Sequence, residues 1–218
     1  MNAKKADIEV LNTIKYDPKA MEHSAEVAAL ADAVKSAGSS KDIGIVMISF
    51  HQDGVDILSR AASYPELMSL TWIGSDGTAM SPKIVSEAGE IAAKVKLYST
   101  MFAPSDSPKK EELVNRFKER FGQEPDSYTL VAYDCAWVAA LTILQTGSLD
   151  GAVIARALPQ VADKYFGVSG WTKLNEAGDR AFGDYTIYYV AQEGGKYVWK
   201  VAGSYRSLAD KIEWVATP

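Results

Sequence analysis

Trp72-Ile73-Gly74-Ser75-Asp76-Gly77-Thr78 reads as a short buried strand running into a tight, glycine-flanked loop that holds out one carboxylate, Asp76. Strand patterns lie before and after it, with helix patterns between them. Residues 43–49 form a near-continuous apolar run, the pattern of a strand buried on both faces. Residues 70–74 and 95–99 give two further strands, and residues 7–14 an earlier one. Ala25, Val27, Leu30, Ala31 and Val34 recur at spacings of three and four, which predicts a helix over 24–37 with Ser24 as N-cap and Gly38 as its stop. Val55, Leu58, Ala61 and Ala62 predict a second helix, capped by Asp53 after a loop at residues 50–53 and ended by Tyr64-Pro65. Ser81-Pro82 opens a short third, with proline where its missing N–H costs nothing. This β-α-β-α-β-α-β order predicts an α/β fold with a parallel, doubly wound sheet. Ligands of such sheets bind just beyond the carboxyl ends of the strands, which is where Asp76 sits.

Past residue 100 the organisation changes. A polar, proline-bearing linker at residues 103–109 leads into three helix patterns, at 108–121, 127–146 and 150–164, with no strand between them. Residues 167–179 read as irregular. Two aromatic, β-branched runs at residues 185–190 and 197–201 then flank Gly194-Gly195, a hairpin signal.

Composition narrows the function classes. The 218 residues carry a net charge of -5, which argues against a nucleic-acid partner, since phosphate neutralisation needs clustered Lys and Arg. The single cysteine, Cys135, cannot form an intramolecular disulfide and is expected as a small buried residue of its helix. No run is expected to reach the roughly 18 apolar residues of a membrane span. The first seven residues have no apolar core, so no secretory signal is expected there. Dinucleotide-binding, P-loop and zinc-protease motifs are absent from the sequence. Gly167-Val168-Ser169-Gly170 only half matches a nucleophile elbow, and His23 and His51 lack metal-site spacing. The expectation is a binding protein rather than an enzyme, with no cofactor and no metal.

The candidate ligand-binding residues are therefore positional: Asp76, His51, Phe50 and Ser75. His51 and Asp76 follow adjacent strands and fall on one sheet edge. A carboxylate there can pair with a ligand ammonium, a contact that strengthens in a dry crevice. His51 can donate or accept one hydrogen bond, and Phe50 can wall the ligand. Structural readings stand beside each: Asp76 capping its own turn, His51 as an exposed loop histidine, Phe50 as core. Asp134, in the middle of an apolar helix, is expected to bond a neighbouring stretch of backbone.

Four stretches carry a family resemblance. They are Ser49-Phe50-His51-Gln52-Asp53-Gly54-Val55-Asp56-Ile57-Leu58-Ser59-Arg60-Ala61, Trp72-Ile73-Gly74-Ser75-Asp76-Gly77, Phe117-Lys118-Glu119-Arg120-Phe121-Gly122-Gln123-Glu124-Pro125 with Ala132-Tyr133-Asp134, and Gly167-Val168-Ser169-Gly170 with Asn175-Glu176-Ala177-Gly178-Asp179-Arg180. In this order they resemble the type I periplasmic binding proteins of ABC transporters, in the branched-chain amino-acid receptor branch. The resemblance implies two α/β lobes joined by three crossing strands that close on a ligand. It implies that the acid matching Asp76 takes the ligand's α-ammonium, and that the His51 position, usually aromatic, lines the pocket. Asp76 is one methylene shorter than the family's common Glu and His51 replaces a Tyr, so a hydrophobic amino acid is the first expectation and an aromatic acid or amide the second. The implied role is an extracytoplasmic solute receptor, periplasmic or extracellular in its full-length parent, with an ABC permease as partner. A ligand-sensing regulatory domain of the same fold and an unrecognised α/β enzyme are the alternatives. The resemblance places residues 1–99 in the second lobe, 100–182 among the helices of the first lobe without its sheet, and 183–218 back in the second lobe as a hairpin. Helices without their sheet leave an apolar face uncovered. The expectation is a homodimer through those helices, an exchange of elements, or repacking onto the chain's own sheet.

Overall fold

The computed structural model describes residues 8–38 and 43–215. Its elements are α1 (Ser24–Ala37), β1 (Gly44–Met47), α2 (His51–Ala61), α3 (Pro65–Met68), β2 (Thr71–Gly74), α4 (Pro82–Glu87), α5 (Gly89–Lys94) and β3 (Tyr98–Ala103). There follow α6 (Pro108–Phe121), α7 (Ser127–Thr146), α8 (Gly151–Ala162), β4 (Phe166–Gly167), β5 (Gly170–Trp171), β6 (Asp184–Glu193), β7 (Lys196–Arg206) and β8 (Lys211–Trp214). Strands β1, β2 and β3 pair in parallel, β7 and β8 pair antiparallel, and the sheet runs in the order β1-β2-β3-β6-β7-β8. The chain forms two compact units, Met1–Thr100 with Ile187–Ala202 and Val215–Pro218, and Met101–Thr186 with Gly203–Trp214.

In the first unit, alternate residues of the strands go to opposite faces. Ile45, Met47 and Trp72 are buried in one cluster with Val27 and Ala31 of α1, Leu58 and Ala61 of α2, Leu67 of α3, and Ile84, Ala92 and Leu97. The other face is open: Val46 is 69 %, Ile48 74 % and Ile73 44 % exposed. The expectation that the 43–49 run is buried on both faces is therefore not met, because no helix of this chain covers the second side of β1 and β2 among the described residues. The strand expected over 7–14 is also absent. Asp7 lies outside the described residues, and residues 8–14 have no ladder partner, leaving Ile8, Val10 and Leu11 exposed. The strand expected at 95–99 begins instead at Tyr98, because Val95 and Leu97 bond back to the turn of α5 and enter the core.

Helix starts follow local capping chemistry. Ser81, Ser107 and Asp126 accept hydrogen bonds from Ile84, Lys110 and Thr129 at 3.3, 3.2 and 2.7 Å. Two caps differ from expectation. His23 occupies the N-cap of α1 and Ser24 is its first helical residue, while Phe50 caps α2 with no side-chain bond and Asp53 falls inside the first turn. In the second unit α7 packs on α8 through Val138, Val161 and Ala162. Asp134, 1 % exposed, accepts from the amides of Val168 and Ser169 at 2.9 and 2.7 Å. Its role is structural, but the backbone it bonds lies in the β4–β5 hairpin, a short hairpin where irregular chain was expected. Cys135 is exposed rather than buried, since the inward stripe of α7 is Leu130, Asp134, Val138 and Thr142. Contrary to the composition reading, α7 is long and apolar enough to cross a membrane by length and composition.

One buried ionic group ties the N-terminal segment to α2. His23 is 2 % exposed, with Nδ1 2.9 Å from Asp56 Oδ2 and Nε2 3.2 Å from the Asp17 carbonyl oxygen. Both partners only accept, so both ring nitrogens must be protonated to make both bonds. Burial pushes the imidazole pKa down, but the bonds to Asp56 and Asp17 and the charges of Asp56 and Glu26 outweigh it and hold the pKa above its ordinary value. A pKa raised by folding gives stability that is full below the unfolded value and lost as pH rises through the folded one. The Tm advantage of the wild type over His23→Gln should therefore be largest below pH about 6.5 and shrink above it. Circular-dichroism melts across pH 5.5 to 9, at roughly half-unit steps around that value, check this.

Candidate functional site

The site is a corner in the first unit where two strands end side by side. In the parallel pair, Met47 of β1 is in register with Gly74 of β2, so the chain leaves both strands at the same edge. After β1, Ile48-Ser49-Phe50 turns directly into α2. Phe50 is extended, with φ -96 and ψ -176, and is 70 % exposed, so its reading as core is corrected. His51 is exposed and is the first residue of α2 rather than part of a loop, because the helix starts at once behind Phe50. Asp53 stands in the first turn, where the helix dipole favours a carboxylate.

After β2 the loop folds on itself. The Ser75 carbonyl accepts from the amides of Thr78 and Ala79 at 3.1 and 3.2 Å and from the Thr78 hydroxyl at 2.8 Å. The Thr78 hydroxyl also pairs with Ser99 of β3 at 2.8 Å, which anchors the turn to the next strand. Asp76 is exposed at the tip, and its Oδ1 accepts from Gly77 N at 3.0 Å. Gly77 packs against the Ser49 carbonyl, and a Cβ there would lie 3.1 Å from the Phe50 ring. Only glycine allows this approach, which sets the Asp76 loop beside the Phe50 corner. Ser75 is half-buried between them in sequence.

A residue the sequence reading missed joins this corner. The Tyr16 hydroxyl lies 3.1 Å from the Ile48 carbonyl and 3.3 Å from Asp53 Oδ2. Burial, and then the charge and hydrogen bond of Asp53, push its pKa up to about 12. It stays a neutral donor at physiological pH. No local signal in the sequence marks it, since the contact spans more than thirty residues. The Ser49 hydroxyl is buried against Gly54 with no hydrogen-bond partner among the described residues.

The corner thus offers one exposed carboxylate, one imidazole and one open aromatic face. That set can hold a small ligand with a cationic head and an apolar body. Among the described residues no group of three or more His, Cys, Asp or Glu could hold a metal ion.

A family model described as periplasmic binding protein matches residues 1–196. The chain belongs to the periplasmic binding protein family. It is 36% identical to an uncharacterized protein of Methanocaldococcus jannaschii, over 95% of this chain and 51% of that protein. Among solved structures it is similar to a leucine-binding protein of Thermotoga maritima, with a TM-score of 0.60 and 19% identity, over 85% of this chain and 49% of that one. It is similar too to an ABC-transporter solute-binding protein from R. palustris in complex with benzoate, with a TM-score of 0.54 and 15% identity, over 91% and 51% of the two chains. The fold is therefore the type I periplasmic-binding-protein α/β fold with a mixed sheet. The chain spans about half the length of these relatives. Family and fold support a solute-binding role.

Proposed function

We propose that this chain is part of an extracytoplasmic solute receptor that captures a small amino-acid-like ligand for an ABC importer. The observation that supports this reading is the Phe50-His51 corner set beside the Ser75-Asp76 loop by Gly77. Asp76 takes the ligand ammonium, Phe50 covers its apolar body, and His51 supplies a hydrogen bond. The ligands named for the neighbours, leucine and benzoate, share an apolar body beside a carboxylate. Of the two, only the amino acid carries a cation for Asp76, so a hydrophobic amino acid is the first choice here. The role is capture without turnover. The parent works outside the cytoplasm, with an ABC permease as its partner.

A thermal-shift screen against amino acids and aromatic acids tests this reading. A ligand that binds only the native state must raise Tm, by about 2.7 kcal/mol of added stability at a hundred times its Kd. The expected result is a rise with a hydrophobic amino acid that disappears in Asp76→Ala. A rise unchanged in Asp76→Ala would remove Asp76 from the site, and no rise with any compound would remove the binding role from this chain.

A further inference from the structure

We propose that Tyr16 is a positioning residue for the ligand corner: its hydroxyl holds the turn from β1 into α2, and through that turn it sets the Phe50 ring that covers the ligand's apolar body. The ligand part of this rests on the receptor reading above; the hold on the turn does not. Phe50 and His51 lie between the two groups that the Tyr16 hydroxyl touches, the Ile48 carbonyl at 3.1 Å and Asp53 Oδ2 at 3.3 Å. One side chain thus brackets the whole turn, from the residue after β1 to the first turn of α2. Phe50 does not brace the turn with its own side chain. It is the N-cap of α2 without a side-chain bond, and its ring is exposed. The hydroxyl has one proton for two acceptors. Removing it leaves a carboxylate and a carbonyl without the donor they share, and nothing in the Phe50 side chain replaces it.

Tyr16 is itself anchored. Asp17-Pro18-Lys19-Ala20 is a tight turn in which Ala20 N donates to the Asp17 carbonyl at 3.0 Å and Lys19 N to Asp17 Oδ1 at 2.9 Å, with proline presetting the second position. The turn brings His23 back against Tyr16, ring edge to ring face, with centroids 4.8 Å apart at 88°. The His23 amide donates to Asp56 Oδ2 at 2.8 Å, and Arg60 Nε donates to Asp56 Oδ1 at 2.8 Å. The segment from Tyr16 to His23 therefore grips α2 at Asp53 and again at Asp56, two positions on one helix face. The ring contact with His23 is open to phenylalanine as well, so Tyr16→Phe isolates the hydroxyl.

The test reads Tyr16→Phe first without ligand and then with leucine. ¹⁵N relaxation dispersion on the free chain should show new exchange at residues 49–52 and none at residues 75–78. The leucine Kd, measured by calorimetry, should rise about fivefold, the size that one lost hydrogen bond gives. In a Phe50→Ala background the same change should have no further effect on Kd, because Tyr16 acts through Phe50. Tyr205→Phe removes another tyrosine–carboxylate bond, to Asp210 at 2.7 Å, and should leave all of these readouts unchanged. A lower Tm in Tyr16→Phe without new exchange at residues 49–52 would make the residue merely structural and overturn the proposal. So would an unchanged Kd, or effects of Tyr16→Phe and Phe50→Ala that simply add. Failure of leucine to bind the wild type would sink the receptor reading and the ligand role of Tyr16 with it, while exchange in the free chain would still decide its hold on the turn.

Discussion

Asp134→Ala should cost about 3 kcal/mol or more, since three buried donors lose their acceptor at roughly 1–3 kcal/mol each. The carboxylate accepts from Val168 N, Ser169 N and the Ser169 hydroxyl. Arg180 completes the cluster: its NH1 donates to Ser169 Oγ at 2.9 Å and its NH2 to the Ser169 carbonyl at 3.2 Å, over the face of Phe102. Burial pushes the Arg180 guanidinium pKa down and the charge of Asp134 opposes it, so the variant also leaves a half-buried cation without that anion. Gly167 touches the same carboxylate so closely that a Cβ would overlap it. For a chain of this size the loss corresponds to a Tm drop of roughly 6–12 °C. Asp134→Asn keeps the shape and one acceptor, and should lose less. Thermal melts measure the total. Hydrogen exchange at Val168 and Ser169 gives the location: both amides should be protected in the wild type and open in Asp134→Ala. Unchanged protection there would mean the hairpin is held by something else.

Trp72→Ala should cost about 3–5 kcal/mol, as large-to-small core changes do. Trp72 is fully buried in the first unit, and its indole N–H donates to the Leu67 carbonyl at 3.0 Å. Neither neighbouring strand can fill the space, because the cover over β2 comes from helices fixed by their own core contacts. Trp72→Phe keeps most of the volume but removes the indole donor from the Leu67 carbonyl, which still accepts from the Leu70 amide at 3.4 Å, and should cost roughly 1 kcal/mol for that hydrogen bond beyond the lost area. Urea denaturation with an unchanged m-value would report stability alone. A Trp72→Ala loss below that of Trp72→Phe would mean the site collapses freely and the core is not close-packed there. Since β2 carries the Asp76 loop, this core also determines how rigidly that carboxylate is presented.

What could be read from the sequence was what local chemistry decides. The limits of α6 and α7 match expectation because Ser107-Pro108 and Asp126 start them, and Gly122 and Gly147, at φ 70 and 62, stop them. Gly194-Gly195 marked the β6–β7 turn for the same reason. The residues of the candidate corner were legible from their position after two apolar runs. What escaped depends on partners far along the chain. A strand over 7–14 needs a neighbour in the sheet, and the described residues provide none. The β4–β5 hairpin exists because Asp134, more than thirty residues earlier, holds its amides. Tyr16 reaches the corner through bonds to Ile48 and Asp53 that no local pattern announces. The open faces of β1 and β2 were invisible too, since an apolar run does not say which polypeptide covers it.

The most direct test of the binding corner is a ¹H–¹⁵N NMR titration of the chain with leucine and with benzoate. The account predicts that leucine shifts the amides of residues 50–53 and 75–78, that benzoate shifts them less, and that Asp76→Ala abolishes the leucine response. Shifts centred elsewhere, or none at these two loops with either ligand, would contradict it.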